Sequence, residues 1–210
     1  MLPQYLTVKG QGENEIVIER SRFIASIART ETEEEALAFI QEIKKKYRDA
    51  THNCSAYMIG EQNLIQKAND DGEPSGTAGV PILEVLKKKN LKDTTVVVTR
   101  YFGGIKLGAG GLIRAYSNST SEGIEAIGVV ERTLTAVMHT KLEYTWLGKV
   151  ENELRSSSFP IKEIEYLDSV IFQTYVSTSE KQQFIEWMTE LTNGQGIITE
   201  GETIYLETDV

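Results

Sequence analysis

Thr99 to Tyr116, TRYFGGIKLGAGGLIRAY, joins a β-branched run to an apolar-periodic one through a loop in which five glycines fall between Gly103 and Gly111. Three cations, Arg100, Lys106 and Arg114, surround those glycines. The pattern predicts a strand that enters a glycine loop and leaves as a helix. The first four N–H groups of a helix lack internal partners and sit at the positive end of its dipole, so such a junction suits an anion. A second glycine-rich segment, Asp70 to Pro81 (DDGEPSGTAGVP), lies upstream, and eight of the chain's 17 glycines fall between Gly72 and Gly111. This clustering predicts one site built from two loops.

Outward from that junction, periodicity supplies the remaining elements. Ile16 to Glu19 and Phe23 to Ile27 read as strands, and Thr32 opens a helix with an acidic first turn (Glu33, Glu34, Glu35) and a basic end (Lys44, Lys45, Lys46, Arg48). That polarity complements the helix dipole. Asn53 to Ile59 reads as strand, Ala78 to Lys89 as helix, Thr94 to Tyr101 as strand and Leu112 to Ile127 as helix. Beyond residue 130 the order changes to strand (Arg132 to Tyr144), helix (Leu147 to Ser157), strand (Ile161 to Leu167), strand (Val170 to Ser177), helix (Glu180 to Leu191) and strand (Ile197 to Leu206). A β-α-β-β-α-β order is that of a split βαβ plait. The expected fold is α+β in two domains, 1–130 and a ferredoxin-like 131–210.

The run DDGEPSGTAGVP, taken with TRYFGG, LGAGGLIRAY, the upstream SRFIA (Ser21 to Ala25), His52 and Tyr57, resembles the IMPACT/YigZ family, and within it a bacterial YigZ/YvyE-like member. The resemblance is strongest over residues 15–130. It implies an IMPACT-type first domain similar to elongation factor G domain IV and the bacterial RNase P protein. The second domain it implies is similar to elongation factor G domain V. For function it implies a link to translation or stress regulation, because eukaryotic relatives restrain an initiation-factor kinase through a partner.

Composition narrows the classes. The chain has 210 residues and 40% hydrophobic content, enough for real cores. No apolar run approaches the roughly 20 residues that span a bilayer, and MLPQYLTVKG lacks the regions of a signal peptide. A cytoplasmic protein with no membrane partner is expected. Cys54 is the single cysteine, and with only His52 and His139 no cysteine/histidine zinc set can be assembled, so no metal or cofactor is expected. The net charge of −9 is unevenly spread: residues 1–130 hold 16 cations and 17 acids, net −1, whereas residues 131–210 hold 6 and 14, net −8. From Lys87 to Arg114 seven cations face one acid, Asp93. A local excess of this kind is an electrostatic footprint for phosphate.

The candidate nucleic-acid contacts are therefore Arg100, Tyr101, Gly103, Gly104, Lys106, Gly108, Gly110, Gly111 and Arg114, with His52, Asp70, Asp71, Glu73, Gly76 and Thr77 shaping the site. Glycines also serve close packing and positive φ without any ligand. Asp70, Asp71 and Glu73 supply a hard-cation site or an acid/base pair on one reading, and on the other a solvated turn whose carboxylates pair Arg100 or Arg114. Cys54 reads as core, since a same-strand His52 rarely aligns as its base. The nucleotide-phosphate fingerprints are incomplete, because GAGGLI breaks the G-x-G-x-x-G spacing at Ile113. The expected function is non-catalytic binding of structured RNA or the ribosome through the basic glycine loop. Two alternatives stand beside it: a module binding a regulatory protein partner, and a small-molecule enzyme using Asp70, Asp71, Glu73 and the glycine loop.

Overall fold

The computed structural model describes residues 1–210, which divide into two compact units. The first comprises Tyr5–Glu131 and Thr208–Val210, the second Arg132–Glu207 and Met1–Gln4. No helix is long and apolar enough to cross a membrane.

The first unit is built on β2 (Gly12–Ile18), β3 (Ser21–Arg29), α1 (Glu33–Lys46), β4 (His52–Ile59), β5 (Ile65–Asn69), α2 (Gly79–Lys88), β6 (Thr94–Tyr101) and α3 (Gly108–Ile127). Its five strands form an antiparallel sheet in the order β2-β3-β6-β4-β5. Side chains alternate across a strand, so the two sides of this sheet bury different sets. Phe23, Ala25, Ile27, Cys54, Ala56 and Val98 meet α2 and α3 through Ile82, Leu86, Leu112, Tyr116 and Ile124. On the other side Tyr57, Ile59 and Val97 meet Ala36, Phe39, Ile40 and Ile43 of α1. Covering on both faces explains why central strand β6, TTVVVTRY, is buried almost end to end and shows no polar alternation.

Local chemistry sets the start of α1. Thr32 has extended backbone and its Oγ1 accepts the Glu35 N–H at 3.2 Å, while the Glu35 carboxylate accepts the Glu31 N–H at 2.7 Å. α3 differs from expectation, beginning at Gly108 and not at Leu112. Gly-Ala-Gly-Gly is a weak helix start by propensity, but Leu107, packed against the core, and the loop before it hold the first turn in place. β5 was not expected either. All five of its residues are exposed, so no burial pattern marks it, and it exists through its ladder to β4 from Ile59↔Ile65 to Ser55↔Asn69.

The second unit carries the plait. β7 (Val129–Leu142) enters it at Arg132 and is followed by a 3-10 turn (Tyr144–Trp146), α4 (Leu147–Ser156), β8 (Ile161–Tyr166), β9 (Val170–Ser177), α5 (Lys181–Leu191) and β10 (Ile197–Asp209). β9 lies between β7 and β8 in antiparallel ladders, and β10 pairs with β7. Residues at alternate positions, Ala136, Met138, Phe172 and Val176, pack against Val150 and Leu154 of α4 and Phe184 and Met188 of α5. Phe159 and Phe184 meet edge to face at 5.1 Å, with Trp187 tilted against both. Phe159, Phe172 and Phe184 are buried with Trp146 and Trp187 packed against them, whereas Tyr144 and Tyr166 are exposed. A short N-terminal strand, β1 (Gln4–Val8), has no counterpart in the sequence reading; in the first unit the Lys9 N–H beyond it donates to the Gly128 carbonyl.

Two glycines of the β6–α3 connection give opposite expectations. A Cβ at Gly103 would lie 2.1 Å from the carbonyl carbon and oxygen of Arg20, whereas one at Gly110 meets nothing within 4 Å. Gly103→Ala should lower stability by about 1–3 kcal/mol through overpacking. Gly110→Ala should raise it by up to about 1 kcal/mol through helix propensity. Urea unfolding midpoints of the two variants check both signs.

Candidate functional site

β4 and β6 end side by side, with His52 the ladder partner of Arg100. Both stand on the face covered by α2 and α3, because they share the parity of Cys54 and Val98. Two loops close over this end of the sheet: Asp70 to Ala78 from β5, and Phe102 to Leu107 from β6. The second is pinned by backbone donors, since the Phe102 N–H donates to Thr51 Oγ1 and the Gly103 N–H to Ser21 Oγ, each at 3.1 Å.

The three carboxylates of the first loop take separate tasks. Asp70 caps α2 from a distance: its Oδ1 accepts the N–H groups of Ala78 (3.1 Å) and Gly79 (2.8 Å), and its Oδ2 that of Gly76 (2.8 Å). The N-cap position itself, Ala78, makes no side-chain cap. Thr77, also in this turn, donates its hydroxyl to the Pro74 carbonyl at 2.6 Å. Asp71 adopts a left-handed backbone and accepts the Asn53 N–H at 2.7 Å and Lys44 Nζ at 2.6 Å. Its carbonyl oxygen lies 2.8 Å from His52 Nδ1, and because a carbonyl only accepts, Nδ1 carries the proton.

Glu73 turns inward and is buried with Arg100. Its Oε1 accepts Arg100 Nη1 at 2.7 Å and the Tyr116 hydroxyl at 2.8 Å, and His52 Nε2 stands 3.7 Å from its Oε2. The Cys54 thiol donates to the Asp70 carbonyl at 2.9 Å and lies 3.4 Å from the Tyr116 oxygen. Burial, reinforced by the carboxylates around it, pushes that thiol up to about 12. Burial likewise drives the Tyr116 phenol far above its ordinary range, so neither group ionises at neutral pH. Cys54 is a core thiol. Arg100, 5% exposed, lies between the rings of Phe23 (5.4 Å) and Phe102 (5.5 Å), and its Nε has no hydrogen-bond partner.

These groups border a cleft of about 390 Å³ whose wall includes His52, Glu73, Arg100, Lys106, Gly108 and Ala109. Phe102, Leu107, Leu112 and Pro74 supply its apolar side. A separate depression of about 400 Å³ contains Glu19, Lys106, Gly111, Arg114 and Asn118, so Lys106 borders both.

The candidate residues of the sequence therefore separate. His52, Asp71, Glu73 and Arg100 come together, and Asp70, Gly76 and Thr77 form the cap of α2 behind them. Arg100 does not join Lys106 and Arg114 on an exposed basic face: the apolar rings and Glu73 draw it inside. Tyr101 is held by its hydroxyl donating to Asp49 at 3.0 Å, with the Arg22 guanidinium over its ring. Gly103 serves close packing, while Gly104 and Gly108 have positive φ. The carboxylates do not form a cation site, since each is turned to a different partner and no group of three His, Cys, Asp or Glu residues could hold a metal. Sequence reasoning missed Lys44, which reads as a helix-end cation, and the hydroxyl of Tyr116, which reads as an apolar helix position. Neither carries a local signal of its partner.

The Impact N-terminal domain matches residues 19–124, and a domain of unknown function (DUF1949) matches residues 140–195. The IMPACT family member YvyE of Bacillus subtilis (strain 168) is 68% identical over 207 residues, covering 99% of this chain and 95% of its own. Protein IMPACT of Homo sapiens is 36% identical over 99 residues, covering 40% of this chain and 30% of its own. A crystal structure of a hypothetical protein aligns with a TM-score of 0.61 at 28% identity, covering 96% of this chain and 99% of the other.

The site makes the fold sensitive to acid. Burial pushes the carboxyls of Asp70 and Asp71 up, but the backbone donors on Asp70, and Lys44 with the Asn53 N–H on Asp71, outweigh it and leave both below the ordinary 3.8. A carboxyl depressed in the folded state contributes stability above its unfolded pKa and loses it as pH falls through the folded one. The melting temperature of the native chain should therefore fall as the pH drops below about 4. Asp71→Asn should lower the melting temperature at neutral pH and flatten that acid limb; an unchanged limb would remove Asp71 from the cause.

Proposed function

The chain belongs to the IMPACT family, and on that premise we propose that it is a non-catalytic regulator of translation that docks on structured RNA or the ribosome through its first unit. One observation carries the reading: Lys106 and Arg114 are exposed, neither makes a hydrogen bond or ion pair, and both border one depression beside the first turn of α3. Several nearby cations are engaged, whereas Lys88 and Arg20 are exposed and unpaired as well. Lys87 pairs with Glu84, Lys89 with Glu125, and Lys92 donates to the Glu61 carbonyl and Asn63. Free cations beside exposed helix N–H groups suit phosphate oxygens.

Contacts of this kind fix position on a phosphate backbone and carry no base sequence, so the docking follows RNA shape and charge. Acids concentrate in residues 131–210, at net −8, which opposes nonspecific adhesion of the whole chain to nucleic acid. The link to translation also draws on the family resemblance, whose eukaryotic members restrain an initiation-factor kinase through a partner.

Sedimentation with ribosomes at low and high salt tests the proposal. Comigration at low salt and release at high salt are expected. For a structured RNA, Lys106→Ala with Arg114→Ala should reduce the slope of log affinity against log salt by roughly 0.7–0.9 for each lost contact. Lys45→Ala with Arg48→Ala, at the end of α1 on the opposite side of the sheet, should change it far less. Free migration at both salt concentrations, or equal losses from the two pairs, would overturn RNA docking and leave a protein partner as the better reading.

A further inference from the structure

We infer that the cleft between the β5–α2 and β6–α3 loops binds the phosphate monoester group of a small molecule, with Arg100 and the first turn of α3 as the anion's partners and the Phe102–Leu107–Leu112 wall holding an apolar remainder. This goes beyond the docking of RNA, which uses the exposed depression around Arg114, although Lys106 borders both.

The first ground is Arg100. A buried ion pair gains little over well-packed apolar residues, because desolvating both charges cancels most of the attraction. Arg100 nonetheless stands where Phe23, Val98 and Leu112 would allow the apolar core to continue. It is 5% exposed, only its Nη1 donates within the chain, and its Nε is buried without an acceptor. Buried donors in folded proteins nearly always have partners, and Arg100 lines the open cleft with its Nη2 unbonded and, unlike the Nε, not sealed from solvent, so it has a donor for an acceptor held there.

The second ground is independent of that side chain. α3 begins at the same cleft, its N-cap Leu107 makes no side-chain cap, and its first turn contains no acid. Gly108 and Ala109 line the cleft, where they bring the unsatisfied N–H end of a 20-residue helix to it. Lys106 adds a charge at the rim. Glu73 cancels Arg100, leaving Lys106 and the positive helix end as the excess, of about +1.5 in all.

Size and lining define the ligand. A cleft of about 390 Å³ lies at the lower end of the range for small-molecule sites. Phe102, Leu107, Leu112 and Pro74 are the large apolar residues of its lining. This fits a phosphate attached to a ring or short hydrocarbon body.

Phenylphosphonate is a stable probe of that chemistry. Titration followed by calorimetry and ligand-observed NMR should show saturable binding to the native chain, and the ligand should raise its melting temperature. Ala109→Asp places a carboxylate at the second helical position, where it suits the helix dipole, so the fold is retained while the anion is repelled. That variant should bind at least about tenfold more weakly, the loss expected for one charge-assisted contact. Arg114→Ala, outside this cleft, should bind as the native chain does. Absence of saturable binding to the native chain, full affinity in Ala109→Asp, or a loss in Arg114→Ala as large as in Lys106→Ala would each overturn the inference. The double variant Arg100→Gln/Glu73→Gln keeps hydrogen-bonding groups in place of the ion pair; if it is folded, its undiminished affinity would exclude Arg100 from the site.

Discussion

The contact between Arg100 and Glu73 holds together parts of the first unit that lie far apart in the chain. Arg100 belongs to the central strand, Glu73 to the loop before α2, and Tyr116, which shares the same carboxylate oxygen, to α3. Both charges are almost fully out of water, so each depends on the other, and removing one leaves a buried charge at a cost of about 3–5 kcal/mol. Around that pair the remaining carboxylates are arranged by backbone donors: Asp70 secures α2, and Asp71 secures β4 and Lys44 of α1. A loop of nine residues, Asp70 to Ala78, thus ties both helical layers to the sheet.

The glycines of the two loops serve this arrangement in different ways. At Gly79 a Cβ would stand 2.5 Å from the Asn69 nitrogen, so glycine lets α2 start directly against β5. Gly103 similarly lets the β6–α3 loop lie on the β2–β3 turn at Arg20. Gly110 has no such neighbour, and its effect is to leave the N-terminal turn of α3 uncovered. Close packing therefore accounts for Gly79 and Gly103, and a positive φ for Gly72, Gly76, Gly104 and Gly108.

Charge is organised on the same principle. Several cations near the glycine loops are satisfied by neighbours, whereas Lys106 and Arg114 beside α3, together with Lys88 and Arg20, are free. The excess of seven cations over one acid between Lys87 and Arg114 is consequently much smaller as a surface feature than as a count along the chain. The acidic second half includes local pairs such as Lys162 with Glu202 and Lys181 with Glu200, yet remains strongly negative because its acids outnumber its cations.

Features set by neighbours along the chain were legible in the sequence: the buried run of β6, the capped and charge-matched ends of α1, the plait order of the second half, and the motifs that place the chain in its family. Their physical causes act over a few residues, through side-chain periodicity, helix capping and turn chemistry. Tertiary structure decided that β5, with every residue exposed, is a strand, and that α3 starts four residues earlier than its apolar period. It also decided that Arg100 is inside, that Lys44 reaches Asp71, and that the Tyr116 hydroxyl meets Glu73. Each of these depends on which strand ends lie side by side. The ladder that sets His52 opposite Arg100 unites residues almost fifty positions apart, and no local pattern in either segment specifies that meeting.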